Sequence, residues 1–140
     1  VQMKLRVISE IESVADSCYN LARTLQRRFQ QSEKFTEDIN GNIELTFNLV
    51  ESGLQNMCNV LGEEHIDQSY VNSAQNIENE INNYRNQLKS QNVIAVNEGH
   101  YDYTIAVSYM DTIVECEKMG DYIVNVVEAV ADSKVDPVAD

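Results

Sequence analysis

Apolar residues recur at intervals of three and four through four stretches of the chain, the spacing that lines one face of a helix. Ile8, Ile11, Ala15, Cys18, Ala22, Leu25 and Phe29 mark the first stretch. Phe47, Val50, Leu54, Met57 and Leu61 mark the second, and Gly62 follows as a C-terminal stop. Ile66, Tyr70, Ala74, Ile77, Ile81, Tyr84 and Leu88 mark the third, which runs to about Val96 before Asn97-Glu98-Gly99 breaks it. The fourth begins near Tyr101, carries Ile105, Tyr109, Thr112, Cys116, Met119, Ile123, Val126 and Val130, and ends near Asp132. Between the first two, the polar run Ser32 to Asn42 contains Asp38, Asn40 and Gly41 and reads as a loop.

Short connections make neighbouring helices antiparallel. The expected fold is an all-α, antiparallel up-down bundle of about four long helices, each roughly 20 to 30 residues or 30 to 45 Å long. One domain over 1–132 accounts for the pattern, and 133–140 form a polar tail with Pro137. A chain of 140 residues, 43% hydrophobic and with a single Pro, fits long helices better than a turn-rich β-sandwich.

A net charge of −13 repels phosphate backbones and anionic headgroups. Nucleic acid and direct lipid binding are therefore excluded as expectations, and cations or a basic protein surface are favoured. Cys18, Cys58 and Cys116 are odd in number, match no zinc or redox spacing, and read as reduced, buried apolar residues. No run of about 20 apolar residues is present to span a membrane. The chain opens on Val1 rather than Met, which reads as a piece of something longer.

One acidic pattern, Glu-x-Glu-x-x-x-Asp-x-x-x-Asn, occurs twice: Glu10, Glu12, Asp16 and Asn20, then Glu115, Glu117, Asp121 and Asn125. Residues four apart share a helix face, so Glu12, Asp16 and Asn20 form one oxygen-rich stripe and Glu117, Asp121 and Asn125 another. Glu10 and Glu115 precede the stripes by two residues and point elsewhere. Like charges at this spacing cost a few tenths of a kcal/mol unless neutralised, and a cation is a natural neutraliser of hard oxygen ligands. If both stripes face one groove, four carboxylates converge on a cation site. The alternatives are two solvated faces, or Arg85 satisfying one stripe as an ion pair.

At these residues the chain resembles the PhoU family. Glu117-Lys118-Met119-Gly120-Asp121-Tyr122-Ile123-Val124-Asn125 is similar to that family's Glu-Arg-Ile-Gly-Asp-His-Ala-Val-Asn signature, Glu12 to Asn20 resembles a more divergent copy, and the likeness also takes in Ile77 to Arg85 on the third helix, which resembles the family's second-helix acidic motif. The likeness runs from about Glu10 to Ala129. It is greatest to the cytoplasmic PhoU-like domain behind the membrane part of bacterial sodium/phosphate cotransporter proteins. It implies a spectrin-like bundle, a non-enzymatic regulatory role in phosphate uptake, and a place on the cytoplasmic face of the inner membrane. The partner so implied is the transporter portion of the same parent chain, with a homodimer as a second possibility. It further implies metal, whether iron, zinc, magnesium or manganese, held by Glu12, Asp16, Glu117 and Asp121, with Asn20 and Asn125 as weaker ligands. Asn82 stands where the family carries an Asp, with Glu78 retained, so the metal set is incomplete.

Catalytic signatures are absent from the sequence. His65 and His100 do not follow a Glu at the spacing of di-iron bundles, and no Gly-rich phosphate loop or His-Glu-x-x-His occurs. The competing readings are a metal-dependent hydrolase or oxidase on the same carboxylates, and a metal-free helical dimerisation module.

Overall fold

The computed structural model describes residues 2–134. Four helices account for them: α1 (Gln2–Gln30), α2 (Glu37–Gly62), α3 (Gln68–Asn97) and α4 (Tyr103–Lys134). Among the described residues there is no strand, so the all-α bundle of four long helices stands. α4 reaches two residues past the expected end of the domain, and the tail at 135–140 lies outside the described residues.

The bundle is organised around α4. All eight residues of its expected stripe are buried, and Ala106, Ile113, Gly120, Val124, Val127 and Ala129 on its other sides are buried as well. A helix that buries residues on several sides belongs at the centre of a bundle. α4 packs against α1, α2 and α3; α2 and α3 also pack together, while the α1 backbone comes close to neither of them. The arrangement is a three-helix bundle of α2, α3 and α4, with α1 laid antiparallel on a remaining face of α4.

The first connection is shorter than the sequence suggests. α2 begins at Glu37, so Asp38, Asn40 and Gly41 lie in its first turns and not in a loop. Thr36 caps it, its hydroxyl accepting from the Ile39 amide at 3.2 Å, and Glu37 and Asp38 suit the positive end of the helix dipole. Ile39 and Ile43 then continue the buried stripe backwards. α3 ends as expected: Gly99, at φ 77°, takes the left-handed position after Glu98, and His100 N donates to Ala95 O at 3.0 Å.

α1 departs most from its periodicity. The buried positions are Val7, Val14, Ser17, Leu21 and Arg28, while Ile8, Ile11, Ala15, Cys18, Ala22 and Phe29 are exposed. A helix resting on a single neighbour buries a narrow seam, here at seven-residue steps. Polar anchors select that seam. Arg28, 3% exposed, donates from Nη1 to Glu33 O (3.1 Å) and from Nη2 to Thr104 O (3.3 Å) and Ser108 Oγ (2.6 Å). It thereby ties the end of α1 to the start of α4.

The cysteines also differ from expectation: only Cys116 is buried, Cys18 and Cys58 are exposed, and all three are free thiols. Burial, followed by the nearby Glu115 carboxylate, pushes the Cys116 thiol up to about 12. A disulfide-exchange reagent at pH 8 is expected to modify Cys18 and Cys58 in the native protein and Cys116 only on unfolding. In urea titrations Leu21→Ala is expected to cost about 2–5 kcal/mol, because it empties a buried site, whereas exposed Ile8→Ala stays within about 0.5 kcal/mol.

Candidate functional site

Glu117 and Asp121 of the second acidic stripe sit on the flank of α4 that faces α3. The two helices are antiparallel, and their polar residues meet in sequence. Asn92 Nδ2 donates to Ala106 O at 3.2 Å, Arg85 Nε lies 3.0 Å from Glu117 Oε2, Glu78 hydrogen-bonds Asp121, and Gln75 Nε2 donates to Glu128 Oε1 at 3.1 Å. Gly120 permits this approach: a Cβ there would meet Ile81 Cδ1 at 3.3 Å. The small residue before Asp121 thus leaves room for the Ile81 side chain at the α3–α4 contact.

Glu78 is the electrostatic centre of the group. Its carboxyl is raised above its ordinary value by burial first, then by the hydrogen bond to Asp121 and by the negative charges of Asp121, Glu128 and Glu117. Carboxylates this close repel when both are ionised, which favours the neutral form of Glu78. Arg85 neutralises Glu117 next to them and is the non-metal partner for the stripe that the sequence allowed.

The two stripes do not converge. Glu12 and Asp16 are exposed on α1, away from the α4 seam, and Asn20 is exposed too. The pair set aside as pointing elsewhere, Glu10 and Glu115, turns towards the α1–α4 interface. Asn20 Nδ2 donates to Glu115 Oε1 and Asn125 Nδ2 to Glu10 Oε2, each at 3.3 Å. The first acid of each copy therefore meets the last amide of the other across two antiparallel helices. This reciprocal bonding gives a structural reason for the matched spacing. Among the described residues no group of three or more His, Cys, Asp and Glu is placed to hold a metal.

Sequence reasoning missed Glu128 and gave Glu78 too small a part. Glu78 and Arg85 are seven apart on α3, as Asp121 and Glu128 are on α4, so each pair returns to one face. That spacing was the available signal.

A family model, the PhoU domain, matches residues 43–130. The chain belongs to the PhoU family. The match spans most of α2, all of α3 and α4 as far as Val130, which is the three-helix unit. Glu78, Glu117, Asp121 and Asn125 lie inside it, and α1 with Glu12, Asp16 and Asn20 lies outside. No curated protein and no solved structure matches the chain. The PhoU family comprises regulatory rather than enzymatic domains, associated with phosphate-transport regulation. Among the described residues no helix is long and apolar enough to cross a membrane.

A raised carboxyl in the folded state binds its proton at a higher pH than in the unfolded chain. The associated stability is complete below the ordinary Glu value of 4.5 and is lost as pH rises through the raised one. Asp121→Asn removes the repelling charge. It is expected to raise Tm by about 1 °C at pH 7, the scale of one exposed like-charge pair, and to change nothing at pH 3.5, with thermal melts at both values as the check.

Proposed function

We propose that this PhoU domain is a non-enzymatic regulatory part of a sodium-dependent phosphate uptake system, acting beside a membrane transporter portion of its parent protein. The reading rests on the PhoU match over the three-helix unit and on the acid pair it contains. Glu78 and Asp121 are held together by α3–α4 packing at a cost in repulsion that a bundle needing only stability has no reason to bear.

The pair suits a cation of a particular kind. Zinc in a structural site takes four protein ligands, mostly thiolate and imidazole, and this flank offers neither. Magnesium and manganese keep bound waters and accept one or two carboxylates. Glu78 and Asp121 would hold such an ion, which supplies positive charge between two carboxylates that otherwise repel. Glu117 stands beside them, occupied by Arg85, and neutral Asn82 adds no charge. Glu12 and Asp16 form a separate, solvent-facing pair on α1. A cation here would draw α3 and α4 together and stiffen the unit, a change that an attached transporter can read.

Thermal melts with manganese or magnesium added to metal-stripped protein test this reading. Millimolar ion is expected to raise Tm by about 2–4 °C, the mass-action effect of a ligand at a few times its Kd on a domain of this size. Glu78→Gln or Asp121→Asn removes the rise, and Glu12→Gln with Asp16→Asn leaves it. A rise that persists in Asp121→Asn sinks the assignment. Turnover of a phosphomonoester by the metal-loaded protein sinks the regulatory reading in favour of the hydrolase.

A further inference from the structure

Cations are scarce in this chain, ten Lys and Arg against 23 Asp and Glu. Four of them, Arg23, Arg27, Arg28 and Lys118, gather where the C-terminal half of α1 meets α4. Arg28 is buried and both its Nη atoms are engaged in holding the two helices. Lys118 lies 3.6 Å from Glu115, which Asn20 also engages. Arg23 and Arg27 are different. Arg23 lies over the Tyr19 ring at 5.7 Å, and neither arginine makes a hydrogen bond or ion pair with any described residue. Two guanidinium groups one turn apart on a helix repel each other. Their place near the C-terminus of α1 offsets only part of that.

The opposite wall carries Asp111, exposed and likewise without a hydrogen bond or ion pair among the described residues. Arg27 and Asp111 line the same groove, a space of about 260 Å³ between α1 and α4 that Arg23, Thr24 and the Lys118–Glu115 ion pair also border, so the groove holds three cations and two carboxylates. Both also line the adjoining hollow that Arg28 and Ser108 border. Opposite charges face one groove from two helices and do not close on each other. The space between them suits a small ligand that is anionic towards the arginines and a hydrogen-bond donor towards the carboxylate.

We propose that the α1–α4 groove is a binding site for a phosphate-class oxyanion, with Arg23 and Arg27 as its cationic wall and Asp111 accepting a hydrogen bond from the ligand. Guanidinium presents paired N–H groups that match phosphate oxygens. Two arginines favour a dianion over a single carboxylate. A carboxylate acceptor in an anion site selects for a ligand that still carries a proton or a hydroxyl. Inorganic phosphate retains a proton at pH 7 and a hydroxylated phosphomonoester carries O–H groups, whereas sulfate has none. The groove lies on α1 and the opposite flank of α4 from Glu78, and the proposal stands whether or not the acid pair binds a cation.

NMR titration of the whole chain at pH 7, in chelator-treated low-salt buffer, tests this with sodium phosphate, sodium sulfate, glycerol 3-phosphate and glycine. Phosphate is expected to shift the amides around Thr24, Arg27 and Asp111 to saturation, about tenfold more tightly than sulfate. Arg27→Gln is expected to weaken phosphate about tenfold. Asp111→Asn is expected to bring phosphate and sulfate to near-equal affinity, with Tm unchanged in both variants because neither side chain has a partner to lose. Tighter binding of glycerol 3-phosphate identifies a phosphomonoester ligand, and tighter inorganic phosphate identifies the free ion. Equal affinity for sulfate in the unaltered chain overturns the proposal. So do saturation by glycine in place of phosphate, shifts centred on Glu78 and Asp121, or no saturation by about 10 mM phosphate, a concentration at which even a millimolar site fills.

Discussion

Everything in this fold depends on the burial of α4 from three sides. Ile113, Cys116, Val126 and Val127 have no exposed surface, and Ile105, Met119 and Ile123 have almost none. Burying each such side chain contributes about 1.5–3 kcal/mol. The other helices need hydrophobic surface only where they meet α4 or, for α2 and α3, each other. Their opposite faces are free to be acidic, which explains how a chain with a charge of −13 still forms a core. The same packing sets both polar flanks of α4, the acid pair against α3 and the reciprocal Glu–Asn bonds against α1.

How much of this was legible in the sequence varies with how many neighbours a helix has. α4 and α3 were read closely, because a helix packed on two or three partners buries a wide stripe, and a one-residue error still falls within it. Ala74, Ile81 and Leu88 are buried where the spacing placed them. α1 was read one step off. It carries apolar residues over more of its surface than one partner can cover, and only Arg28, Glu10 and Asn20 reveal which part turns to α4. The start of α2 was hidden because Asn40 and Gly41 resemble a turn, while Thr36 and Glu37 supply a cap that outweighs them. The short cap signal is local and easily passed over.

The candidate site was half visible. Glu117 and Asp121 were found by their spacing, and helix geometry placed them on one face as it must. Their partners come from another helix, and no periodicity within one segment reports which face of α3 turns to meet them. The tightly packed Gly120 was visible as a small residue, but the room it leaves for Ile81 at the α3–α4 contact belongs to tertiary structure. The repeated pattern itself was sound while its interpretation changed. Its outer residues, Glu10 and Asn125 with Asn20 and Glu115, are the ones that bond to each other.

The organisation around α4 makes a kinetic claim that hydrogen exchange reads directly. α1 rests on one seam, so it can detach without opening the three-helix unit, whereas α4 cannot be exposed unless the whole core opens. Native-state exchange followed residue by residue should show the amides of Ile113 to Val127 exchanging only through global unfolding. The amides of Val7 to Leu21 should exchange through a smaller opening, with lower free energy and a weaker dependence on denaturant. Equal protection and equal denaturant dependence in α1 and α4 would contradict the account, because it would mean that α1 is held by more of the bundle than the single helix it packs against.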